Sequence, residues 1–559
     1  MTTNINLTFD DGRTVACPPR TPVKSILATA LAPSGLPYIA ALINNDITSL
    51  SYPVEMDSTV TLLTMAEPEG WHVFQRSMAF LLAKTVKELY PESALSVDYA
   101  MGDGLYCSFD ERAANGRNGG IRADQVAAIR DRMRAFVAQD IPIERQKISF
   151  ADAIRRFTEA GQTDKLNLLR FRNPPRIVMH VCDGFYDLAQ GPLAPSTGSL
   201  GLFDLVHYPP GFVLQLPSRG NAAQVAPFKP MPQLFQIFQE HKEWGRILGV
   251  NNVGRLNEII VNGDISDFIK IAEALHEKKI ARIADNLCSR RDRLRFVLVA
   301  GPSSAGKTTF AKRLAIQLRV TGLRVFVISL DNYFKPLAQT PVDERGKPDF
   351  EHIEAIDLDL LNRHMNQLVR GEEIRLPEFD FEAKVQRITN NRVKMGPDTL
   401  LIMEGLHALN PRITQALPAG TTFRIFVSAL TQLSIDSNNR ISTTDNRLIR
   451  RLVRDHKYRG HSALKTLRMW ASVRRGEERW IYPFQDQADA AFNSALDYEL
   501  AVLKPLAEPL LMEVKPYDRE YAEARRLTMF LSNFTGISDR EVPSTSMLRE
   551  YIGRSSFKY

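Results

Sequence analysis

The chain has 559 residues, 44% of them hydrophobic, and 71 Lys and Arg against 64 Asp and Glu give a formal net charge of +7. This length predicts several domains, and so mild a charge does not by itself argue for a nucleic-acid partner. Four scattered cysteines without CxxC spacing argue against a disulfide framework or a zinc ribbon. With no signal-peptide pattern and no apolar stretch near ~18 residues, we expect a cytoplasmic protein without a membrane span.

The first 65 residues carry the pattern of a small β-grasp domain. Alternating residues in INLTF and RTVAC flank an Asp-Gly turn and predict a β-hairpin over residues 4–17. Thr21 and Pro22 predict the start of a short helix, VKSILATAL, and strands are expected at 38–43 and 59–63. This stretch resembles the TGS domain of threonyl-tRNA synthetases and of some GTPases.

A helical pattern starts at Trp71 and is followed by two predicted strands around residues 101–104. The segment resembles the second additional (editing) domain of threonyl- and alanyl-tRNA synthetases. In that family an HxxxH pair and a later CxxxH bind zinc. The matched positions here are Arg76, Phe80, Ala189 and Leu193, none of which is a metal ligand. The resemblance therefore implies the fold without the zinc-dependent hydrolysis, and His72 and His180 are interpreted as lone histidines.

Residues 226–293 show only helical periodicity, with breaks at Asn251-Asn252 and around Gly263. Ile265, Phe268, Ile269, Ile271, Ala272 and Leu275 are the expected core positions of this segment. We interpret it as a helical connector. The basic run at 289–293 is taken as a solvated face, with a contact to phosphate as the alternative.

The segment LRFVLVAGPSSAGKTT combines a buried strand, a glycine-rich turn and the start of a helix. This is GxxxxGK[ST] in the context that gives the pattern meaning, so the chain is expected to bind a nucleoside triphosphate. Backbone N–H groups and the helix N-terminus would hold phosphate oxygens, Lys307 would reach the β- and γ-phosphates, and Thr308 would bind Mg²⁺. The predicted nucleotide contacts are Gly301, Ser303, Ser304, Ala305, Gly306, Lys307, Thr308 and Thr309.

Two further strands of this half end in carboxylates. LRVFVISL precedes Asp331 and Tyr333, and TLLIM precedes Glu404. Chemistry in an open α/β sheet takes place at the carboxyl ends of the strands. Asp331 is therefore a candidate base for a substrate hydroxyl and Glu404 a candidate for organising Mg²⁺.

Six segments follow one another from this turn onwards: GPSSAGKTT, SLDNYF, DFEHIEAID, LPEFDF, IMEGLHAL and DNRLIRRLVRDHKYRG. Together they make residues 294–535 similar to the uridine kinase branch of the uridine kinase/phosphoribulokinase family. The resemblance implies ATP and Mg²⁺ as cofactors, Asp331 as general base toward a 5′-hydroxyl, and Glu351 in the place of a ribose-binding Asp. Arg447, Arg450, Arg451 and Arg454 fall on one face of a lid helix where they could meet phosphates, with a solvated basic helix as the alternative.

The part of the family pattern that reads the base is altered. Phe379 replaces a Tyr of the uridine kinases, and Lys384 stands near the position of their pyrimidine-contacting His. A site without those polar groups cannot discriminate a base as the family does. The segment ADAAFNSALDYELAVLKPLAEPLL differs from the usual ending of the family and extends into a tail, STSMLREYIGRSSFKY, whose Ser546 is expected to cap a last short helix.

The predicted fold class is multidomain: a TGS-like β-grasp domain and an α+β editing-like domain precede an α/β P-loop kinase with a parallel sheet. The predicted domains are 1–65 (TGS-like), 66–225 (editing-like), 226–293 (connector), 294–535 (kinase) and 536–559 (tail).

Three hypotheses for function follow. The first is a nucleoside kinase in which Lys307, Arg447 and Arg451 stabilise the transferring group, and Asp331, Tyr333, Glu351, Phe379, Lys384, Arg450 and Arg454 contact the substrate. A kinase for a sugar or sugar phosphate is the second. The third is an RNA-binding regulatory protein in which the P-loop acts as a nucleotide switch. Expected partners are a small-molecule substrate and, as candidates, RNA at the N-terminal domains and a second copy of the chain.

Overall fold

The N-terminal segment forms a five-stranded mixed sheet in which the predicted hairpin is present. The computed structural model describes residues 4–110, 120–218, 220–344, 346–381, 383–415 and 417–558. In spatial order the strands of this sheet are Thr14–Cys17, Ile5–Phe9, Ser58–Leu63, Ala40–Ile43 and Asp46–Thr48. Ile5, Leu7 and Phe9 alternate inward and are buried, so the period of two in the sequence marks the core face.

The short helix predicted after Pro22 is wrong. Only Val23–Ile26 turns, as a 3-10 helix, because Thr21–Pro22 pairs as a short strand with Pro53–Val54. The Thr21 hydroxyl donates to the carbonyl of Pro18 at 2.6 Å instead of capping a helix. Pairing with a distant strand has overridden a local start signal.

The editing-like segment packs helices against two antiparallel sheets. One sheet contains Asp204–Tyr208, Gly211–Gln215, Gly104–Asp110 and Ala94–Met101, and the other contains Glu144–Ser149, Arg176–Cys182 and Phe185–Asp187. The helices are Pro68–Leu89, Ala123–Gln139, Phe150–Glu159 and Thr163–Leu169. The first helix buries Phe74, Met78, Leu81, Leu82 and Val86 at the predicted spacing.

The connector is helical and its breaks fall where the sequence predicts them. Its helices are Pro232–Leu248, Val253–Asn262 and Ile265–Cys288. The last of these packs Phe268, Ile269 and Ile280 into the same core as the P-loop helix. Ile271 is 50% exposed, so its expected core position is wrong.

The kinase segment is built on a five-stranded parallel sheet. In spatial order its strands are Arg324–Ser329, Thr399–Glu404, Phe296–Ala300, Thr422–Ser428 and Ala490–Asn493. The P-loop strand Phe296–Ala300 is fully buried at the centre, which explains its continuous apolar run. The carboxyl ends of its neighbours therefore open on the same edge as the P-loop, which is where Asp331 and Glu404 lie.

Helices cover this sheet, and short hairpins extend from it. The helices are Lys307–Val320, Leu358–Val369, Pro411–Thr414, Thr443–Arg459, Ala463–Trp480, Glu499–Met512 and Tyr521–Leu531. The hairpins pair Glu373–Asp380 with Val385–Lys394, and Ser434–Asp436 with Asn439–Arg440. We call Lys307–Val320 the P-loop helix and Thr443–Arg459 the lid helix.

The carboxyl-terminal tail, from residue 536, is ordered on the kinase. It contains a four-residue helix, Arg549–Ile552, whose N-cap is Leu548, so the expected cap by Ser546 is wrong. The Ser546 hydroxyl instead accepts from the N–H of Leu548 at 3.1 Å, in the turn that precedes the helix. Among the described residues, no helix combines the length and apolarity needed to cross a membrane.

Candidate active site

The P-loop, residues 301–308, links the central strand to the P-loop helix and requires glycine at two points. A Cβ at Gly301 would collide with the carbonyl oxygen of Val427 on the neighbouring strand. Gly306 has φ of +82°, a left-handed conformation that side chains disfavour, and it is the N-cap of the helix. These two constraints let the backbone wrap closely around whatever lies in the loop.

The carbonyl groups of this loop are held from outside by buried side chains. Arg447 and Arg450, on the lid helix, are fully buried and donate to two successive carbonyls of the loop. The donor–acceptor pairs are Arg447 Nε to Ser303 O (2.8 Å), Arg450 Nη1 to Ser304 O (3.3 Å), Tyr551 Oη to Ser304 O (3.0 Å) and Ser494 Oγ to Ala305 O (2.5 Å). The oxygen side of the loop is thereby turned away from its concave side.

Some of the N–H groups of the loop remain available. Within the part of the chain that the structure describes, those of Ser304, Gly306, Lys307 and Thr308 donate to no protein acceptor. Successive unpaired N–H groups at a helix N-terminus attract anions through their partial positive charge. The arrangement can therefore bind the oxygens of a phosphate chain.

Two further N–H groups of this region are taken by carboxylates. Ser303 N–H donates to Oε1 of Glu477 at 3.0 Å, and Thr309 N–H donates to Oε2 of Glu550 at 3.3 Å. The Thr309 hydroxyl also donates to Oε2 of Glu550, at 2.6 Å. The carboxylates of Glu477 and Glu550 thus accept hydrogen bonds from two N–H groups that the sequence predicts to bind nucleotide phosphate.

Acidic side chains surround Lys307. Its Nζ donates to the carbonyl of Pro302 at 3.1 Å. Burial raises the pKa of Glu404 to about 7, with the charge of Asp331 adding to the rise and that of Lys307 opposing it. Burial likewise raises the pKa of Glu351 to about 7, against the opposing charge of Arg451. The charges of Asp331 and Lys307 act on both Glu351 and Glu404, so these four side chains lie near one another; their catalytic roles stay a prediction.

The donors around the P-loop fit a magnesium ion. Thr308 contributes a hydroxyl in the first turn of the P-loop helix, and Glu404 a buried carboxylate at the end of the adjacent strand. Hard oxygen donors suit Mg²⁺, which keeps several waters and binds phosphate rather than an all-protein cage. Among the described residues there is also no group of three or more His, Cys, Asp or Glu side chains arranged to hold a metal.

Three of the four predicted lid arginines, Arg447, Arg450 and Arg451, bond the P-loop, and all four have an acidic partner. Arg447 pairs with Glu477 and Arg450 with Glu499, and all four side chains are buried. Arg451 Nη1 donates to the Ser303 hydroxyl at 2.7 Å and its Nε to Asp455 at 3.2 Å. Arg454 also pairs with Asp455, at 2.8 Å. Each of the four arginines already bonds an acidic side chain of the protein. Their contact with substrate phosphates stays a prediction.

The predicted substrate residues are less uniform. Phe379 lies among Phe334, Phe350 and Phe381, with ring centroids 5.7, 6.4 and 5.2 Å away. Lys384 is exposed in the turn of the hairpin and has φ of +55°. Tyr333 is fully buried and its hydroxyl lies 3.0 Å from Nδ1 of His364, so it is a core residue here.

Several residues of the site were missed by sequence reasoning. They are Glu477, Ser494, Glu499, Glu550 and Tyr551, and each contacts the P-loop, the first turn of the P-loop helix or a lid arginine. No motif marks them, because each is a single polar residue in a helix, in the tail or, for Ser494, directly after the strand Ala490–Asn493. The only sequence signal was the departure of the tail from the family pattern.

Comparison with known proteins gives separate matches for the two halves of the chain. Residues 296–501 match the model of the Phosphoribulokinase / Uridine kinase family. A uridine kinase of Halobacterium salinarum is 29% identical over 192 residues, which are 34% of this chain and 76% of that protein. The carboxyl-terminal half therefore carries a kinase domain of this family.

The N-terminal region matches threonine--tRNA ligases. The ligase of Acidithiobacillus ferrooxidans is 33% identical over 188 residues, which are 33% of this chain but only 28% of the ligase. A solved structure described as a possible uridine kinase from Bacillus stearothermophilus is similar to part of this chain. The match covers 39% of this chain and 98% of that structure, at 18% identity and a TM-score of 0.27.

Proposed function

We propose that this chain is an ATP- and Mg²⁺-dependent kinase that phosphorylates the 5′-hydroxyl of a nucleoside. The observation that carries the proposal is the set of free N–H groups at Ser304, Gly306, Lys307 and Thr308 beside the carboxylates of Asp331 and Glu404. Phosphoryl transfer needs little besides positioning and charge stabilisation, and these groups can supply both. The family match supports the reaction class.

Each group has a separate task in this proposal. The loop N–H groups and Lys307 hold the phosphate chain, and Asp331 accepts the proton of the attacking hydroxyl. Thr308 and Glu404 would hold Mg²⁺, which neutralises charge on the phosphates when bound. Arg447 keeps the Ser303 carbonyl turned outward, which leaves the N–H side of the loop free for the nucleotide.

The experiment is ATP consumption by the purified protein with Mg²⁺ against separate pools of nucleosides, pentoses and pentose phosphates. We expect turnover with nucleosides and its loss in Lys307→Ala. Turnover that survives Lys307→Ala would come from a contaminating enzyme, and activity restricted to pentose pools would replace the nucleoside by a sugar.

A sugar-phosphate acceptor is a second candidate because the expected base pocket is apolar around Phe379 while Lys384 presents an exposed cation. A lysine can bind a phosphate as a point charge. Under this alternative, Lys384→Gln raises KM for pentose phosphates, whereas an effect confined to nucleosides supports the first proposal.

RNA is proposed as a further partner from the match of the N-terminal region to threonine--tRNA ligases. Binding of tRNA measured over a salt series tests this, because contacts to phosphates weaken steeply as salt rises. Absence of binding at low salt would remove RNA from the partners.

A further inference from the structure

A cavity of about 100 Å³ lies between the editing-like and kinase segments. Arg76, Phe80 and Ala189, three of the positions where editing domains carry metal ligands, line it from one side. The kinase side contributes the hairpin residues Asn438, Asn439 and Arg440 and, from the start of the lid helix, Asp445. The cavity is thus a composite of two domains.

Two arginines line this cavity without forming an ion pair among the described residues, although Asp445 lies near both. Arg76 donates through Nη2 to the carbonyl of Pro192 at 3.2 Å, while its buried Nε has no acceptor. Arg440 Nη2 makes a long contact of 3.5 Å to Oε1 of Gln75. Neither guanidinium forms an ion pair within the described ranges. In contrast, Arg526 on the same wall pairs with two carboxylates, Asp445 through two bonds of 2.7 Å and Glu523 at 2.7 Å.

Unpaired charge in this position is unfavourable and calls for an anion. Burial, together with the nearby charge of Arg526, lowers the pKa of Arg76 to about 9 against the opposing charges of Asp445 and Glu523, and burial lowers the pKa of Arg440 against the charge of Asp445. The planar guanidinium fork matches the oxygens of carboxylate and phosphate groups. We propose that this cavity binds a small oxyanion, a carboxylate or phosphate group, between Arg76 and Arg440. The volume is that of a few water molecules, so an anion of this size fits.

The test is isothermal titration of the full chain with inorganic phosphate and, separately, with malonate. We expect both or one of them to bind, and Arg76→Gln and Arg440→Gln each to weaken binding about tenfold, the size of one lost charge-assisted contact. Phosphate alone or malonate alone would identify the chemical source. Because the P-loop is itself expected to bind phosphate, both titrations are repeated in the Lys307→Ala chain, where the binding that remains should still be weakened by Arg76→Gln and by Arg440→Gln.

Three results would overturn the proposal. One is no binding of either anion at millimolar concentration. Another is binding lost in Lys307→Ala but retained in Arg76→Gln and Arg440→Gln, which would place the anion at the P-loop. The third is a large fall in the Tm of either variant, measured without anion. Each substitution removes a buried charge that has no ion pair, so we expect an unchanged or higher Tm. A large fall would mean that the two arginines stabilise the fold instead.

A different observation, the contact of the tail with the P-loop, carries a second inference that rests on the proposed function. Thr309 lies in the first turn of the P-loop helix, whose N-terminal donors hold phosphate oxygens in P-loop proteins. Glu550 binds both its N–H and its hydroxyl, at 3.3 and 2.6 Å. Tyr551 anchors the same segment through the Ser304 carbonyl, and Met547, Leu548 and Tyr551 are fully buried.

A carboxylate and a phosphate oxygen repel each other and cannot share one donor. We further infer that Glu550 competes with the nucleotide for the N-terminus of the P-loop helix, so that the docked tail lowers the affinity of the enzyme for ATP. The tail must shift at Glu550 for the phosphate chain to reach Thr309. Autoinhibition of this kind would make tail release a point of control.

The experiment compares ATP binding by equilibrium titration in Glu550→Gln and in the wild-type chain. We expect about tenfold tighter binding, because the variant loses a charge-assisted contact and a like charge beside the phosphates. Glu541→Gln is the control, since Glu541 lies exposed in the same tail and bonds only Ser266 among the described residues. If Lys307→Ala abolishes ATP binding while Glu550→Gln binds no tighter than wild type, the tail inference fails alone. If Lys307→Ala leaves ATP binding intact, the proposed function fails first.

Discussion

Asp331 lies in the short turn Leu330–Tyr333 that follows the edge strand of the kinase sheet. Its charge contributes to the raised pKa values of both Glu404 and Glu351, so it stands close to both. We expect Asp331→Asn to bind ATP as the wild type does and to lower kcat by about 100-fold or more, because general bases contribute about 10²–10⁴. Asp359→Asn, at an exposed helix position, is the control. Near-normal turnover in Asp331→Asn would refute its role as base.

Glu351 gives a prediction about pH and stability. Burial raises its pKa from 4.5 to about 7, so between these values the folded chain keeps a proton that the unfolded chain has lost. The contribution of Glu351 to the free energy of unfolding therefore falls as pH rises from about 4.5 to about 7. For the nucleotide-free protein we expect Glu351→Gln to have the Tm of wild type near pH 5 and a higher Tm near pH 8. Parallel Tm curves across this range would contradict the assignment.

The lid helix is the element that connects the site to the rest of the kinase. Arg450 Nε donates to Glu499 at 3.1 Å and Nη2 to the Ser494 carbonyl at 2.9 Å, and the side chain is fully buried. Arg450→Met leaves the Glu499 carboxylate buried without its cation, so we expect a loss of about 3–5 kcal/mol in the free energy of unfolding.

Urea denaturation measures that loss, with Arg468→Met as the matched control. Arg468 is 56% exposed and pairs with Glu520 at 3.2 Å on the surface, so its replacement should cost less than about 1 kcal/mol. Equal losses in the two variants would show that Arg450 is not a structural residue and would favour its alternative role in contacting substrate phosphate.

The P-loop and the lid helix together show how much of the site can be predicted from the sequence. The strand, turn and helix of the P-loop were predictable because their signals lie within sixteen neighbouring residues, 294–309. The four arginines were visible as a helical pattern, whereas Glu477 bonds Ser303 and Glu550 bonds Thr309 from 174 and 241 residues further along the chain. A single Glu in an amphipathic helix resembles a solvated residue, so only the fold reveals these contacts.

At the scale of the whole molecule, the sequence did not predict how the segments pack on one another. The β-grasp and editing-like segments were recognisable separately, yet their packing on each other is a tertiary property. Leu36, Ile39 and Leu63 of the first segment share a core with Phe74 and Met78 of the next. The helix mispredicted after Pro22 has the same origin, since Pro53–Val54 decides the conformation of Thr21–Pro22.

The editing-like and kinase segments are joined by a buried ionic network around Lys165. Its Nζ lies 2.8 Å from Asp187 in its own segment and 3.6 Å from Asp436 in the kinase hairpin, and all three side chains are at most 1% exposed. Asn438 of that hairpin also donates to Asp187, at 2.6 Å. The cation of this network and one carboxylate therefore come from the editing-like segment, and the other carboxylate comes from the kinase segment.

We expect Lys165→Met to lower the free energy of unfolding by about 3–5 kcal/mol, because it leaves two carboxylates buried without their cation. Calorimetry should also show the transition of the N-terminal half separating from that of the kinase, since the bond between them is lost. Lys270→Met is the control: Lys270 is 69% exposed, and its pair with Asp267 at 3.0 Å should contribute under about 1 kcal/mol. A single unshifted transition in Lys165→Met would mean that apolar packing alone couples the two halves, so that a change on the editing-like side could not reach the lid helix through this network.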